Sequence, residues 1–195
     1  MAGVVTGPGD EAAVVVISGI QGAGKSTVAD RLARRLPRAA RVSSDALQEM
    51  IVSGERWPES RVPSEEAAQQ LRLRLRHACL LARSFVGAGF TAVVDDIVLG
   101  ERVEDLLAEL AGERFIFVML TPRLEVVRAR ERGRGTHLYR EWGWMDVELR
   151  QDTRRLGLWL DSSEQTADET AAEILRRAWA EGWVDAPPSG TPVPP

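Results

Sequence analysis

A glycine-rich turn between an apolar run and an amphipathic segment constrains this chain more than any other feature. Val14-Val15-Val16-Ile17-Ser18 is short and continuously apolar, the pattern of a strand buried on both faces of a parallel sheet. It runs straight into Gly19-Ile20-Gln21-Gly22-Ala23-Gly24-Lys25-Ser26-Thr27, and an amphipathic helix follows to about Leu36, closed by Pro37. Residues 19–26 match G-x-x-x-x-G-K-[ST] in full and in the required strand–turn–helix context. Glycines let the backbone turn so that successive N–H groups point inward at phosphate oxygens. The following helix adds its positive end. Lys25 can bridge the β- and γ-phosphates of ATP as a point charge, and the Ser26 hydroxyl can ligate Mg²⁺.

Composition strengthens this reading. Of the 25 basic residues, all are arginine except Lys25, so the one lysine of the chain stands where a phosphate loop requires it. A length of 195 residues fits one domain with a well-buried core. The net charge of -4 sets up no field for nucleic acid or an anionic membrane. No apolar run reaches membrane-spanning length, and the N-terminus lacks a basic stretch followed by an apolar core. The single cysteine, Cys79, excludes an intramolecular disulfide and reads as a small core residue. These features together place the expected location in the cytoplasm.

Along the chain, residues 1–13 read as a flexible leader. A second strand is expected around Arg41-Val42-Ser43, ending in Ser44-Asp45, with Ser44 or Asp45 capping a short helix. Gly54, Pro58 and Pro63 mark a loop over 53–63. Ser64 opens a long helix to about Phe85, with Leu71, Leu73, Leu75, Leu80 and Leu81 as its expected buried positions. Thr91-Ala92-Val93-Val94-Asp95-Asp96 is the third strand, followed by a helix over 101–111. Phe115-Ile116-Phe117-Val118-Met119-Leu120 is the fourth, and Pro122 begins an arginine-rich helix. Residues 134–144, rich in glycine and aromatics, read as a small lid. A fifth strand is expected at Leu158-Trp159-Leu160. The last helix starts at Thr166, with Glu169 completing a capping box, and ends near Gly182. Residues 14–184 therefore form the domain, and the proline-rich segment 185–195 is expected to be a disordered tail. Alternating strands and helices mean a parallel sheet covered on both faces, an α/β domain of three layers.

Three groups of side chains carry candidate chemistry. Asp95 and Asp96 end the third strand, where an acidic residue commonly orients Mg²⁺, and Asp95 is the favoured metal ligand. Asp45 lies at the end of the second strand, on the ligand side of such a sheet, and is either a general base or a helix cap. Arg123, Arg128, Arg130, Arg132 and Arg134 crowd one helix. Arg130 with Arg134, or Arg128 with Arg132, could clamp a transferring phosphoryl group from one face. His137, Tyr139, Trp142 and Trp144 either stack on a ligand or seal the lid. His77 reads as solvated or structural.

These stretches together resemble the P-loop small-molecule kinases, the shikimate and gluconate kinase group, and within it the chloramphenicol phosphotransferase-like proteins. The resemblance rests on the phosphate loop, on Ser44-Asp45-Ala46-Leu47, on Val94-Asp95-Asp96-Ile97-Val98-Leu99-Gly100 and on Arg130-Glu131-Arg132-Gly133-Arg134. It implies a P-loop NTPase fold whose five-stranded parallel sheet has the order 2-3-1-4-5. It implies Asp45 as general base, Arg130 and Arg134 at the phosphoryl group, and the loop Asp161-Ser162-Ser163 near adenine. The expected activity is transfer of the γ-phosphate of ATP, with Mg²⁺, to a hydroxyl of a small-molecule acceptor such as an antibiotic or other secondary metabolite. The alternatives are a nucleotide or polynucleotide 5′-hydroxyl kinase, or a regulatory P-loop ATPase. The acidic balance argues against a nucleic-acid partner. The absence of asparagine removes the guanine-reading motif of a GTPase. The sequence leaves the oligomeric state open. Residues 53–63 and 135–144 are the segments expected to shape the acceptor pocket.

Overall fold

The computed structural model describes residues 11–133 and 143–188. Strand β1 (Val14–Gly19) lies at the centre of the sheet with every residue buried, as its uninterrupted apolar run requires. It pairs in parallel with β3 (Thr91–Asp95) on one side and β4 (Arg114–Leu120) on the other. Strand β2 (Ala39–Ser43) adds to β3, and β5 (Leu158–Leu160) to the end of β4, all parallel. The order β2-β3-β1-β4-β5 is that of a P-loop NTPase. A sixth strand, β6 (Trp183–Asp185), runs antiparallel along the first residues of β4, so β5 and β6 share one edge end to end. It occupies the segment where the sequence pattern ends the last helix and begins the tail. Ala186 just beyond it is also buried.

Helices α1 (Lys25–Ala33), α2 (Ser44–Glu49), α3 (Glu65–Gly87), α4 (Arg102–Glu109), α5 (Leu124–Gly133), α6 (Trp144–Val147) and α7 (Ala167–Glu181) make the outer layers. A π-helical turn, Glu148–Asp152, follows α6. At the start of α7, Glu169 N–H donates to Thr166 Oγ1 at 3.2 Å while Thr166 N–H donates to the Glu169 carboxylate at 2.8 Å, closing the capping box.

Two local expectations are corrected. Ser43, not Ser44 or Asp45, caps α2: its hydroxyl accepts from Ala46 N–H. Ser44 Oγ instead donates to the Asp95 carbonyl at 2.6 Å, tying α2 to the end of β3. In α3 the leucines mostly face out, with Leu73, Leu80 and Leu81 exposed and only Leu75 fully buried. The buried face is Ala67, Gln70, Arg74, Leu75, Ala78, Cys79 and Ala82. Small side chains there let the helix backbone approach the sheet closely, and dispersion contacts reward that approach. Cys79 is inside as expected, and burial pushes its thiol up to about 12, which leaves it an unreactive thiol.

Candidate active site

The end of β1, the start of α1 and the ends of β2 and β3 converge on one crevice, the place where strand C-termini of such a sheet meet ligands. The loop leaves β1 at Gly19 and turns through Gly22 (φ +78°) and Gly24 (φ +96°), left-handed values that side chains rarely adopt. A Cβ on Gly22 would lie 2.8 Å from Val127 Cγ1 and 3.1 Å from Glu131 Oε1, so α5 packs directly against the loop. Ser26 and Thr27 are exposed at the first turn of α1. Lys25 folds back, and its Nζ donates to the Ile20 carbonyl at 3.0 Å. Burial lowers its ammonium to about 8, against the pull of Asp45, Asp96 and Asp95, in that order. The lysine thus stands in the field of three carboxylates, with its ammonium held by a loop carbonyl.

The three carboxylates divide by environment. Asp95 is buried and accepts two hydrogen bonds from Arg41, Nε to Oδ1 at 2.9 Å and Nη2 to Oδ2 at 3.1 Å. Asp96 is deeper still. It accepts from Arg74 Nη2 at 2.7 Å, Arg102 Nη2 at 3.1 Å and the Ile97 N–H at 2.7 Å. Burial opposes its ionisation, but Arg102, Arg74 and the Ile97 N–H outweigh that and hold its carboxyl below the usual carboxylate range. Asp45, on the first turn of α2, is largely open to the crevice and stands 3.7 Å from Arg74 Nη1. A helix cap would turn its oxygen back onto backbone N–H groups. Ser43 does that instead, so the carboxylate is left facing the cavity.

Among the described residues no group of three or more His, Cys, Asp or Glu side chains is arranged to hold a metal ion. A nucleotide-bound Mg²⁺ does not need one, since it takes one or two protein oxygens and completes its shell with phosphate and water. The Ser26 hydroxyl and a carboxylate such as Asp95 are donors of the right kind for that role.

On the opposite side of the loop, Arg130 of α5 donates to the carbonyls of Ala23 at 3.3 Å, Ser162 at 2.8 Å and Gln165 at 3.2 Å. It clasps the phosphate loop to the segment after β5. Arg128 and Arg132 are exposed. Arg123 pairs with Glu125 and Glu164. Arg134, His137, Tyr139 and Trp142 lie outside the described residues, with most of the expected lid.

Beside Asp45 opens a cavity of about 890 Å³. Gln21 of the phosphate loop, Asp45, Arg74, Trp57, Trp144 and Glu148 line it. The segment 53–63 contributes Trp57, Pro58, Ser60, Arg61, Val62 and Pro63. Sequence patterns did not single out Arg74 or Glu148. Arg74 sits in the alternating Leu-Arg stretch of α3 and is 5 % exposed, and no local signal separates it from the exposed Arg72 and Arg76. Glu148 opens a π-helical turn, an irregularity visible only in three dimensions. His77 is exposed and stands apart from the site.

A family model described as an AAA domain matches residues 14–141. No curated protein matches the sequence. Among solved structures, the tunicamycin resistance protein of Deinococcus radiodurans superposes with a TM-score of 0.65 at 20% identity, over 91% of this chain and 100% of that one. A gluconokinase from Sinorhizobium meliloti 1021 gives 0.56 at 20% identity, over 85% and 92%. A shikimate kinase from Acinetobacter baumannii, in complex with shikimate, gives 0.56 at 18% identity, over 85% and 92%. At these identities the likenesses establish the fold.

Proposed function

From the premise that this chain belongs to the AAA-domain family, we propose that it is a phosphotransferase that moves the γ-phosphate of ATP to a hydroxyl group of a small molecule. The observation that carries the reading is the juxtaposition at the crevice. Lys25 sits in a complete phosphate loop, and Asp45 stands between that loop and a cavity roomy enough for an organic acceptor.

In this reading the loop residues Gly19, Gln21, Gly22, Ala23, Gly24, Lys25, Ser26 and Thr27 hold the phosphates through backbone N–H groups, that of Ala23 first leaving the Ile20 carbonyl to which it donates at 3.2 Å. The Ser26 hydroxyl and a carboxylate, for which Asp95 is the candidate, would hold Mg²⁺, which would supply charge neutralisation at the nucleotide phosphates. Lys25 leaves the Ile20 carbonyl for the phosphates. Asp45 accepts the proton of the acceptor hydroxyl as its oxygen bonds to Pγ, and the bond from Pγ to the β–γ bridging oxygen breaks, releasing ADP. Arg130 fixes the phosphate loop against the segment 161–165, where the base of the nucleotide would lie, and Arg134 is the candidate for the phosphoryl group itself. The protein's share of catalysis is positioning and electrostatics, as phosphoryl transfer demands.

The test is acceptor-stimulated ADP release from Mg²⁺-ATP over a panel of hydroxylated compounds, repeated with Asp45→Asn. Stimulation by one compound class, cut by roughly 10²–10⁴ in the variant while ATP binding is kept, is the expected result. Hydrolysis that ignores every acceptor and is unchanged in Asp45→Asn would leave a nucleotide-binding fold without the proposed transfer.

A further inference from the structure

The floor of the acceptor cavity carries two arginines, Arg74 and Arg102, and both are engaged by one carboxylate. Asp96 takes Arg74 on Oδ1 at 2.7 Å and Arg102 on Oδ2 at 3.1 Å, and it is itself 2 % exposed. The second amino group of Arg74 faces Asp45 at 3.7 Å, and Arg102 Nη1 donates to the Ile97 carbonyl. A third lining arginine, Arg61, is paired with Asp152. The remaining one, Arg72, is exposed at the rim, where solvent screens it. Trp57 meanwhile leaves 40% of its surface exposed at the cavity wall.

Building on the phosphotransferase reading, we propose that Asp96 is a specificity-determining residue. By holding Arg74 and Arg102 it keeps acceptors bearing a phosphate or carboxylate out of the cavity, so the acceptor is an alcohol with an apolar or aromatic body and no anionic group. The argument is one of exchange. An anionic acceptor would compete for an arginine with a buried carboxylate, and drawing that arginine away would leave Asp96 with only one of its two cationic partners at low dielectric, where charges are costly to leave under-paired. It would also meet Asp45 and Glu148 in the same cavity. An uncharged alcohol disturbs none of these pairs and covers the exposed face of Trp57. Specificity then comes from what the cavity penalises as much as from what it attracts.

Two probes of one skeleton test this on the full chain with Mg²⁺-ADP bound: phenylpropanediol, which is neutral, and phenyllactate, its carboxylate counterpart. Titration calorimetry is expected to show the diol bound about tenfold or more tighter than phenyllactate. Asp96→Asn, which removes the buried negative charge at nearly the same shape and leaves an oxygen for only one of the two arginines, is expected to narrow or reverse that ratio through a gain in phenyllactate affinity that salt weakens. Arg74→Met, which removes a cation rather than freeing one, is expected to keep the wild-type preference, and it serves should Asp96→Asn not fold. Equal or tighter wild-type binding of phenyllactate, an unchanged ratio in a folded Asp96→Asn, or no binding of either probe would each overturn the inference. ADP release is read in parallel and separates the two layers. The expected binding order without phosphate transfer counts against the phosphotransferase reading alone. Transfer to phenyllactate by the wild type upholds that reading and sinks this inference.

Discussion

Arg41 and Asp95 meet fork to fork from adjacent strands, with Nε and Nη2 of the arginine on separate carboxylate oxygens at 2.9 and 3.1 Å. Asp95 is 3 % exposed, so the pair lies at the margin of the core beside the phosphate loop. Bidentate geometry of this kind is both strong and orienting. Asp95→Asn is therefore expected to fold with some loss of stability, since its amide oxygen keeps one of the two hydrogen bonds from Arg41 while its NH2 faces the other donor, and to raise the Mg²⁺ concentration for half-maximal activity about tenfold. Magnesium titration at saturating ATP checks this, and an unchanged requirement would make Asp95 an anchor for Arg41 only. Arg41→Ala, by contrast, strands a buried carboxylate and is expected to cost about 1–3 kcal/mol in urea unfolding.

Lys25 gives a prediction in pH. Its folded value of about 8 lies below the unfolded value of 10.5, so over that window the unfolded chain binds more protons and nucleotide-free stability rises with pH. Below about pH 8 the native state carries the full penalty of a poorly hydrated ammonium. Lys25→Met is accordingly expected to melt several degrees higher than the wild type at pH 7 without nucleotide, with the difference closing between pH 8 and 10.5, and to lose ATP binding. Melting curves of both proteins across that range decide it; a wild type that is the more stable at pH 7 would contradict the lowered value. By the same linkage, ATP binding near pH 8.5 should take up protons, readable by calorimetry in buffers of different ionisation heat.

Arg130 holds three backbone carbonyls, two of them in the segment after β5. Its loss should loosen the nucleotide site more than the chemical step. Arg130→Met is expected to weaken ATP binding about tenfold with a smaller change in kcat. A fall of 10²–10³ in kcat at unchanged ATP affinity would instead put the guanidinium on the transferring phosphoryl group.

Two glycines with nearly the same backbone separate strain from packing. Gly22 and Gly54 have φ of +78° and +81°, yet a Cβ on Gly22 would collide with Val127 while one on Gly54 meets nothing within 4 Å. Gly54→Ala is expected to cost about 1 kcal/mol from conformation alone. Gly22→Ala should cost about 1–3 kcal/mol more and abolish ATP binding, because the loop must move off α5. Chemical denaturation and nucleotide titration of the pair would show whether contact with α5 sets the loop's shape; equal costs would say it does not.

The amino-acid sequence by itself determined the phosphate loop and the parallel strands, because those rest on local rules, whereas the strand order followed only from the resemblance to the P-loop small-molecule kinases. Glycines at left-handed positions, an unbroken apolar run for a central strand and a capping box at Thr166 are each decided within a few residues. The sixth strand escaped because Trp183–Asp185 is only three residues long and gains its hydrogen bonds from β4, some 70 positions earlier in the chain. The face of α3 escaped for a related reason. Leucine periodicity assumes that the larger side chain is buried, whereas here alanines and Cys79 let the helix sit close to the sheet and leave Leu73, Leu80 and Leu81 outside. Tertiary structure alone decided the roles of the carboxylates. Asp95 and Asp96 are neighbours in sequence and nearly equally buried, but strand alternation turns one toward Arg41 and the other toward Arg74 and Arg102. Asp45 is left facing the cavity because Ser43 has taken the cap. Charge pairing acts between groups that only folding brings within a few ångströms, so a motif can announce where phosphate binds while the three-dimensional arrangement of arginines determines what else the site will admit.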